Sequence, residues 1–101
     1  MNNITSVSEI TPEDLWEYLN PSDSMTESDS STLSNLLGVA KAYISDYTGR
    51  TLEELDDYQD IVIVALILVQ DMWDNRTLYI DKNNVNRVVD SILNMHSVNL
   101  L

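Results

Sequence analysis

Cysteine is absent from this 101-residue chain, and glycine and proline occur only twice each. Without cysteine there is no disulfide scaffold, no thiolate metal site and no cysteine nucleophile. With Gly38 and Gly49 as the only glycines, no glycine-rich loop exists to cradle a phosphate. Cations are scarce as well. Five Lys and Arg face seventeen Asp and Glu, the formal net charge is -12, and the first 40 residues hold no Lys or Arg. Such a surface repels phosphate backbones and anionic lipid, so neither sequence-specific nucleic-acid binding nor membrane attachment is expected. The bland reading of the charge is solubility. The opening MNNITSVSEITPED has no basic stretch leading into an apolar one, so a secretory signal is not expected. Two glycosylation-like triplets, at Asn3 and Asn75, carry no meaning without secretion.

What is present is apolar: 44% of the residues are hydrophobic, enough for one core and one domain. The organising stretch is YQDIVIVALILVQDMWDNR, Tyr58 to Arg76, whose middle, Ile61 to Val69, is nine apolar residues without a break. That is too short to span a bilayer, which takes about 20 such residues. The Ile and Val content would suit a buried strand. Val62, Leu66, Val69 and Trp73, however, recur at steps of three or four, so the stretch reads as a helix buried on several sides. The expected fold is all-α, a small bundle of about four helices around a central buried helix over about 57–75, with flexible terminal arms.

The chain divides into an N-terminal arm (1–10), one helical domain (11–95) and a C-terminal tail (96–101). Thr11-Pro12-Glu13-Asp14 reads as a helix start, with a capping Thr, Pro at the first helical position and acids by the positive dipole end. Leu15, Leu19 and either Trp16 or Tyr18 would turn inward, and Asn20-Pro21 would stop the helix. After an acidic, Ser-rich loop, two capping boxes compete, Ser24 with Glu27 and Thr26 with Asp29. Leu33, Leu36, Leu37, Ala40, Ile44 and Tyr47 keep one buried face, and Gly49 closes that helix in the left-handed conformation. Thr51 with Glu54 is a further capping box, a short turn ahead of the central helix. Thr77-Leu78-Tyr79-Ile80 is β-prone but too brief for a sheet, and Asp81 to Asn84 is a turn. A last helix uses Val85, Val88, Val89 and Ile92 or Leu93 as its stripe.

Chemistry is hard to find. The acids Glu53, Glu54, Asp56, Asp57 and Asp60 lack the alternating ligands, central Gly and closing Glu of a calcium loop, and they suit helix starts. His96, the only His, reads as a surface residue, and no Ser sits in a nucleophile elbow. Trp16, Trp73 and the five Tyr read as core aromatics, and Arg76 as a cation at a helix C-terminus. No catalytic, metal or cofactor site is expected, and the chain is not expected to be an enzyme.

Taken in order, Thr11-Pro12-Glu13-Asp14-Leu15 with Tyr18-Leu19, an acidic loop, Ala40-Lys41-Ala42-Tyr43-Ile44-Ser45-Asp46-Tyr47-Thr48-Gly49-Arg50 and a helix ending Met72-Trp73-Asp74-Asn75-Arg76 form a pattern. The chain resembles the head–tail connector (adaptor) proteins of tailed bacteriophages, often described as DNA-packaging proteins. The resemblance covers roughly residues 10–95. It rests most on the Tyr-Ile-x-x-Tyr-Thr-Gly-Arg and Trp-x-Asn-Arg helix ends. After Asn83 the chain departs, lacking the Leu-Pro step and the Pro-Tyr-Arg-like close. The resemblance implies a virion protein, assembled in the host cytoplasm, that forms a dodecameric ring under the portal. DNA would pass through its acidic lumen, and head-completion or tail proteins would bind below. A closed ring needs two different patches per subunit. The exposed side of the 33–48 helix and the segment after Arg76 are the candidates, with Leu78, Tyr79, Ile80, Val98, Leu100 and Leu101 as docking residues. Two rivals stand beside this: an acidic DNA mimic that inhibits a nucleic-acid-processing protein, and a small ligand-binding or enzymatic bundle.

Overall fold

Of the nine apolar residues from Ile61 to Val69, seven are buried; only Ile63 and Ile67 reach solvent. In a computed structural model of the chain, which describes residues 4, 6–19, 22–82 and 84–98, this run is the middle of a helix. The element order is a 3-10 helix Val7–Glu9, α1 Pro12–Leu19, α2 Glu27–Thr48, α3 Leu52–Leu55, α4 Gln59–Asn75 and α5 Arg87–His96. The protein is all-α, with no strand among the described residues. Among the described residues the bundle has five α-helices where about four were expected, α3 being the extra single turn.

α4 is the hub. It packs against α2, α5, α1 and the 3-10 helix, while α2 also meets α1 and α5. Each fully buried Val, Leu or Ile is worth about 1.5–3 kcal/mol against exposure, so the wrapped centre of α4 dominates the core. Around it Leu33, Leu36, Leu37, Ala40 and Ile44 of α2, Leu15 of α1, Leu55 of α3 and Val89 and Leu93 of α5 complete one cluster.

Local signals place the helix starts. Thr11 Oγ1 accepts from the Asp14 amide while the Asp14 carboxylate accepts from the Thr11 amide, a reciprocal cap at the head of α1. At α2 the competition is settled for Thr26, which forms a capping box with Asp29. Thr51 and Glu54 form another at α3. Gly49 closes α2 at φ 69°. The expected stop at Asn20-Pro21 lies outside the described residues; α1 ends at Leu19, and both Trp16 and Tyr18 pack partly against the core.

Three expectations are corrected. The N-terminal arm is not a loose lead-in over its described part: Val7 and Ile10 are core residues, and Ile4 packs against the core cluster. The Ser8 amide and hydroxyl both donate to the Asp56 carboxylate, at 3.0 and 2.8 Å, tying the 3-10 helix to the end of α3. Two apolar side chains separated by two residues suit one turn of 3-10 helix, a period too short to register as a pattern. On α2, Tyr47 sits at the rim and the buried place goes to Thr48, whose hydroxyl donates to the Ile44 carbonyl at 2.8 Å. In α5, Val85 precedes the helix and Val88 faces out, because the buried stripe is Val89 and Leu93.

Candidate protein interface

The sequence-designated segment begins where α4 stops. Arg76 takes the left-handed conformation, φ 56°, and the Thr77 amide reaches back to the Met72 carbonyl at 3.0 Å. That six-to-one bond is the signature of a Schellman closure, a role usually given to glycine. The Arg76 guanidinium lies 5.7 Å from the centre of the Trp73 ring, and Trp73 meets Trp16 edge-on at 5.9 Å. Beyond this closure Leu78 and Tyr79 are 64% and 65% exposed, whereas Ile80 turns back and packs against the core. A shallow cleft of about 170 Å³ opens beside Leu78, walled by Leu36, Met72 and Trp73 with Arg76 at its edge.

The tail residues divide differently. Val98 is half-buried, and its amide donates to the Thr48 carbonyl at 2.8 Å. Leu100 and Leu101 lie outside the described residues. Val98 is therefore tied to the end of α2 through its backbone. On the exposed side of α2, Ser34, Asn35, Gly38 and Ala42 face solvent, and a Cβ at Gly38 would meet nothing within 4 Å. No contact among the described residues requires glycine there. Ile63, Val88 and Met95 are further exposed apolar side chains, at 50%, 53% and 72%. The reading of α4 as apolar nearly all round, and of Val88 as core, hid the first two.

Three of the five acids around α3 have individual structural partners. Glu54 caps Thr51 and approaches Arg50 at 3.5 Å, Asp56 holds Ser8, and Asp60 holds His96. Among the described residues no group of three or more His, Cys, Asp or Glu is placed to hold a metal ion. His96 is corrected from a surface residue to a structural one. Its Nε2 lies 2.9 and 3.0 Å from the two Asp60 oxygens, and a carboxylate only accepts, so Nε2 carries the proton. The imidazole also stacks on Tyr58 with ring centres 4.3 Å apart, and the His96 carbonyl accepts from Arg50 Nε at 2.6 Å. One signal could have found it: Asp60 and His96 begin and end the antiparallel pair α4 and α5.

No protein-family model matches this chain, no curated protein matches it in sequence, and no solved structure matches it. No described helix is long and apolar enough to cross a membrane.

A second polar surface escaped the sequence reading altogether. Tyr43 and Tyr47, one helical turn apart on α2, face Asp90 of α5. Both phenols have pKa values raised, first by burial and then by the Asp90 carboxylate, which at Tyr47 also accepts the phenol's hydrogen bond. Tyr47 Oη stands 2.9 Å from both Asp90 Oδ1 and the Asn94 amide oxygen. Its single proton serves the carboxylate, the stronger acceptor.

Proposed function

We propose that the chain is a structural virion protein of a tailed bacteriophage. In this reading it is a head–tail connector whose copies form a ring under the portal, lengthen the DNA channel and meet the tail-completion proteins. The observation that carries the reading is the pair of motif-bearing helix ends, Tyr43–Arg50 and Trp73–Arg76, which resemble that family. Each ends in a left-handed residue, Gly49 or Arg76. The exposed Leu78 and Tyr79 directly after Arg76 give one apolar patch, and the polar solvent face of α2 offers a different surface, as a heterologous ring requires. The acidic exterior suits a channel through which DNA slides without adhering.

Electron microscopy of the protein mixed with its portal tests this. Rings stacked on the portal are expected for the parent protein, and none for a Leu78→Asp, Tyr79→Asp double variant that keeps its helical circular dichroism. Parent protein that never decorates the portal would sink the connector reading; rings from the double variant would remove this patch alone. The DNA-mimic reading is favoured by one feature, the net charge of -12 with Glu13, Glu53, Asp57 and Asp74 exposed. It requires tight, salt-sensitive binding to a basic protein without any ring.

A further inference from the structure

A groove of about 360 Å³ runs between the C-terminal half of α2 and the first turn of α5. Tyr43, Asp46 and Tyr47 line it from α2, Asp90 from α5, and Lys82 from the turn between α4 and α5. The two rings have their centres 5.9 Å apart and their planes tilted by 55°. The Tyr47 phenol holds Asp90 Oδ1 against them, leaving Oδ2 with no hydrogen-bond partner among the described residues. Asp46 is exposed and has no hydrogen bond or ion pair among the described residues. Lys82, on the same groove, forms no ion pair with either carboxylate among the described residues, and the two negative charges there outnumber its one positive charge.

Aromatic faces beside carboxylates are the surroundings in which a guanidinium gains most. Its plane lies on the ring quadrupole while its forked N–H groups reach the oxygens. We propose that this groove docks an arginine side chain from a basic segment of a partner protein, the guanidinium set against Tyr43 and Tyr47 and paired with Asp46 and Asp90. The inference stands apart from the connector reading and needs no ring. A second copy is a poor occupant. The chain has only five Lys and Arg, Arg50 is bonded to the His96 carbonyl and Arg76 lies on Trp73, which leaves Arg87 as its one arginine with no partner among the described residues. An anionic guest would meet two carboxylates.

The test is a titration of the full chain with hexa-arginine at low ionic strength, following the Tyr43 and Tyr47 ring signals by NMR. Hexacitrulline, similar in shape but uncharged, is the control. Arginine should move both rings and citrulline neither. Asp46→Lys should weaken binding by about tenfold, against about twofold for Glu53→Lys, the same charge change at an exposed site outside the groove. Tyr43→Leu, which alters no charge at neutral pH, should cost about fivefold. Lys82→Ala should tighten binding by about twofold, a sign opposite to that of an anion site. Equal losses from the two charge reversals would mean diffuse attraction to an acidic protein and overturn the proposal. So would ring signals that stay still at saturation, or self-association that Asp46→Lys abolishes. Both Asp46 and Glu53 are exposed, so circular dichroism should be unchanged in either reversal.

Discussion

Two helices of this bundle end on a left-handed residue, and they end to different effect. Gly49 closes α2 at φ 69° and Arg76 closes α4 at φ 56°. At α4 the next residue finishes the work, since the Thr77 amide takes the Met72 carbonyl, and the chain beyond is free to project Leu78 and Tyr79 outward. At α2 the last carbonyls are satisfied by a distant segment. The Val98 amide reaches the Thr48 carbonyl, and the Ser97 hydroxyl reaches that of Tyr47 at 3.4 Å. Arg50, just past Gly49, then holds the His96 carbonyl. Orphan carbonyls at a helix end need partners. Where the partner is local, the following chain is released as surface; where it is remote, two segments far apart in sequence are joined.

The strongest way to break the contrast is to unseat α5, because the closed end depends on it and the open end does not. Leu93 is wholly buried among α5's neighbours, so Leu93→Ala should cost about 2–5 kcal/mol in urea unfolding. Leu78→Ala, at the open end, should change stability by less than about 0.5 kcal/mol. A large loss at Leu78 would mean that the projecting segment is part of the core after all.

A smaller effect separates the two closing residues themselves. A Cβ on Gly49 would sit 3.7 Å from Val98 Cβ, an ordinary contact, so Gly49→Ala should suffer from backbone conformation and not from collision. The expected cost is about 1–2 kcal/mol. Arg76→Gly is the converse change. It removes the left-handed strain of an L side chain but also the guanidinium over Trp73, and the net should lie within about 1 kcal/mol of zero. Thermal unfolding of both variants measures the difference; equal shifts would show that the ends are equivalent.

The contrast was half legible in the sequence. Gly49 announced its own left-handed turn, and the nine-residue apolar run announced the hub, because glycine and hydrophobic periodicity act locally. Arg76 gave no such sign: arginine ordinarily avoids positive φ, and only the surrounding geometry imposes it. The bonds of the closed end join residues 46 to 50 positions apart, Arg50 to His96 and Tyr47 to Ser97, and no periodicity reports a pairing that long. His96 therefore passed for surface. The Tyr43, Tyr47 and Asp90 groove was hidden for the same reason, since its sides come from α2 and α5. Leu78 and Tyr79 were legible as candidates because two large apolar residues in a short turn have nothing near in sequence to cover them.

The mildest probe of the closed end is alkali. Tyr47 holds α5 twice, its carbonyl accepting from Ser97 and its phenol donating to Asp90. Its pKa lies above the ordinary tyrosine value of about 10, burial being the first cause and the Asp90 hydrogen bond the second. The folded protein thus binds this proton more tightly than the unfolded chain does. Stability from the neutral phenol is complete below the unfolded pKa and disappears as pH rises through the folded one. Tyr43, raised in the same direction, adds to the trend. Urea unfolding followed by circular dichroism across the alkaline range should show falling stability, and Tyr47→Phe should make that fall shallower. At neutral pH the same variant should lose no more than about 1 kcal/mol, because the bond is exposed to water. An unchanged alkaline slope in Tyr47→Phe would place the proton-linked stability elsewhere and leave the closed end resting on its backbone bonds alone.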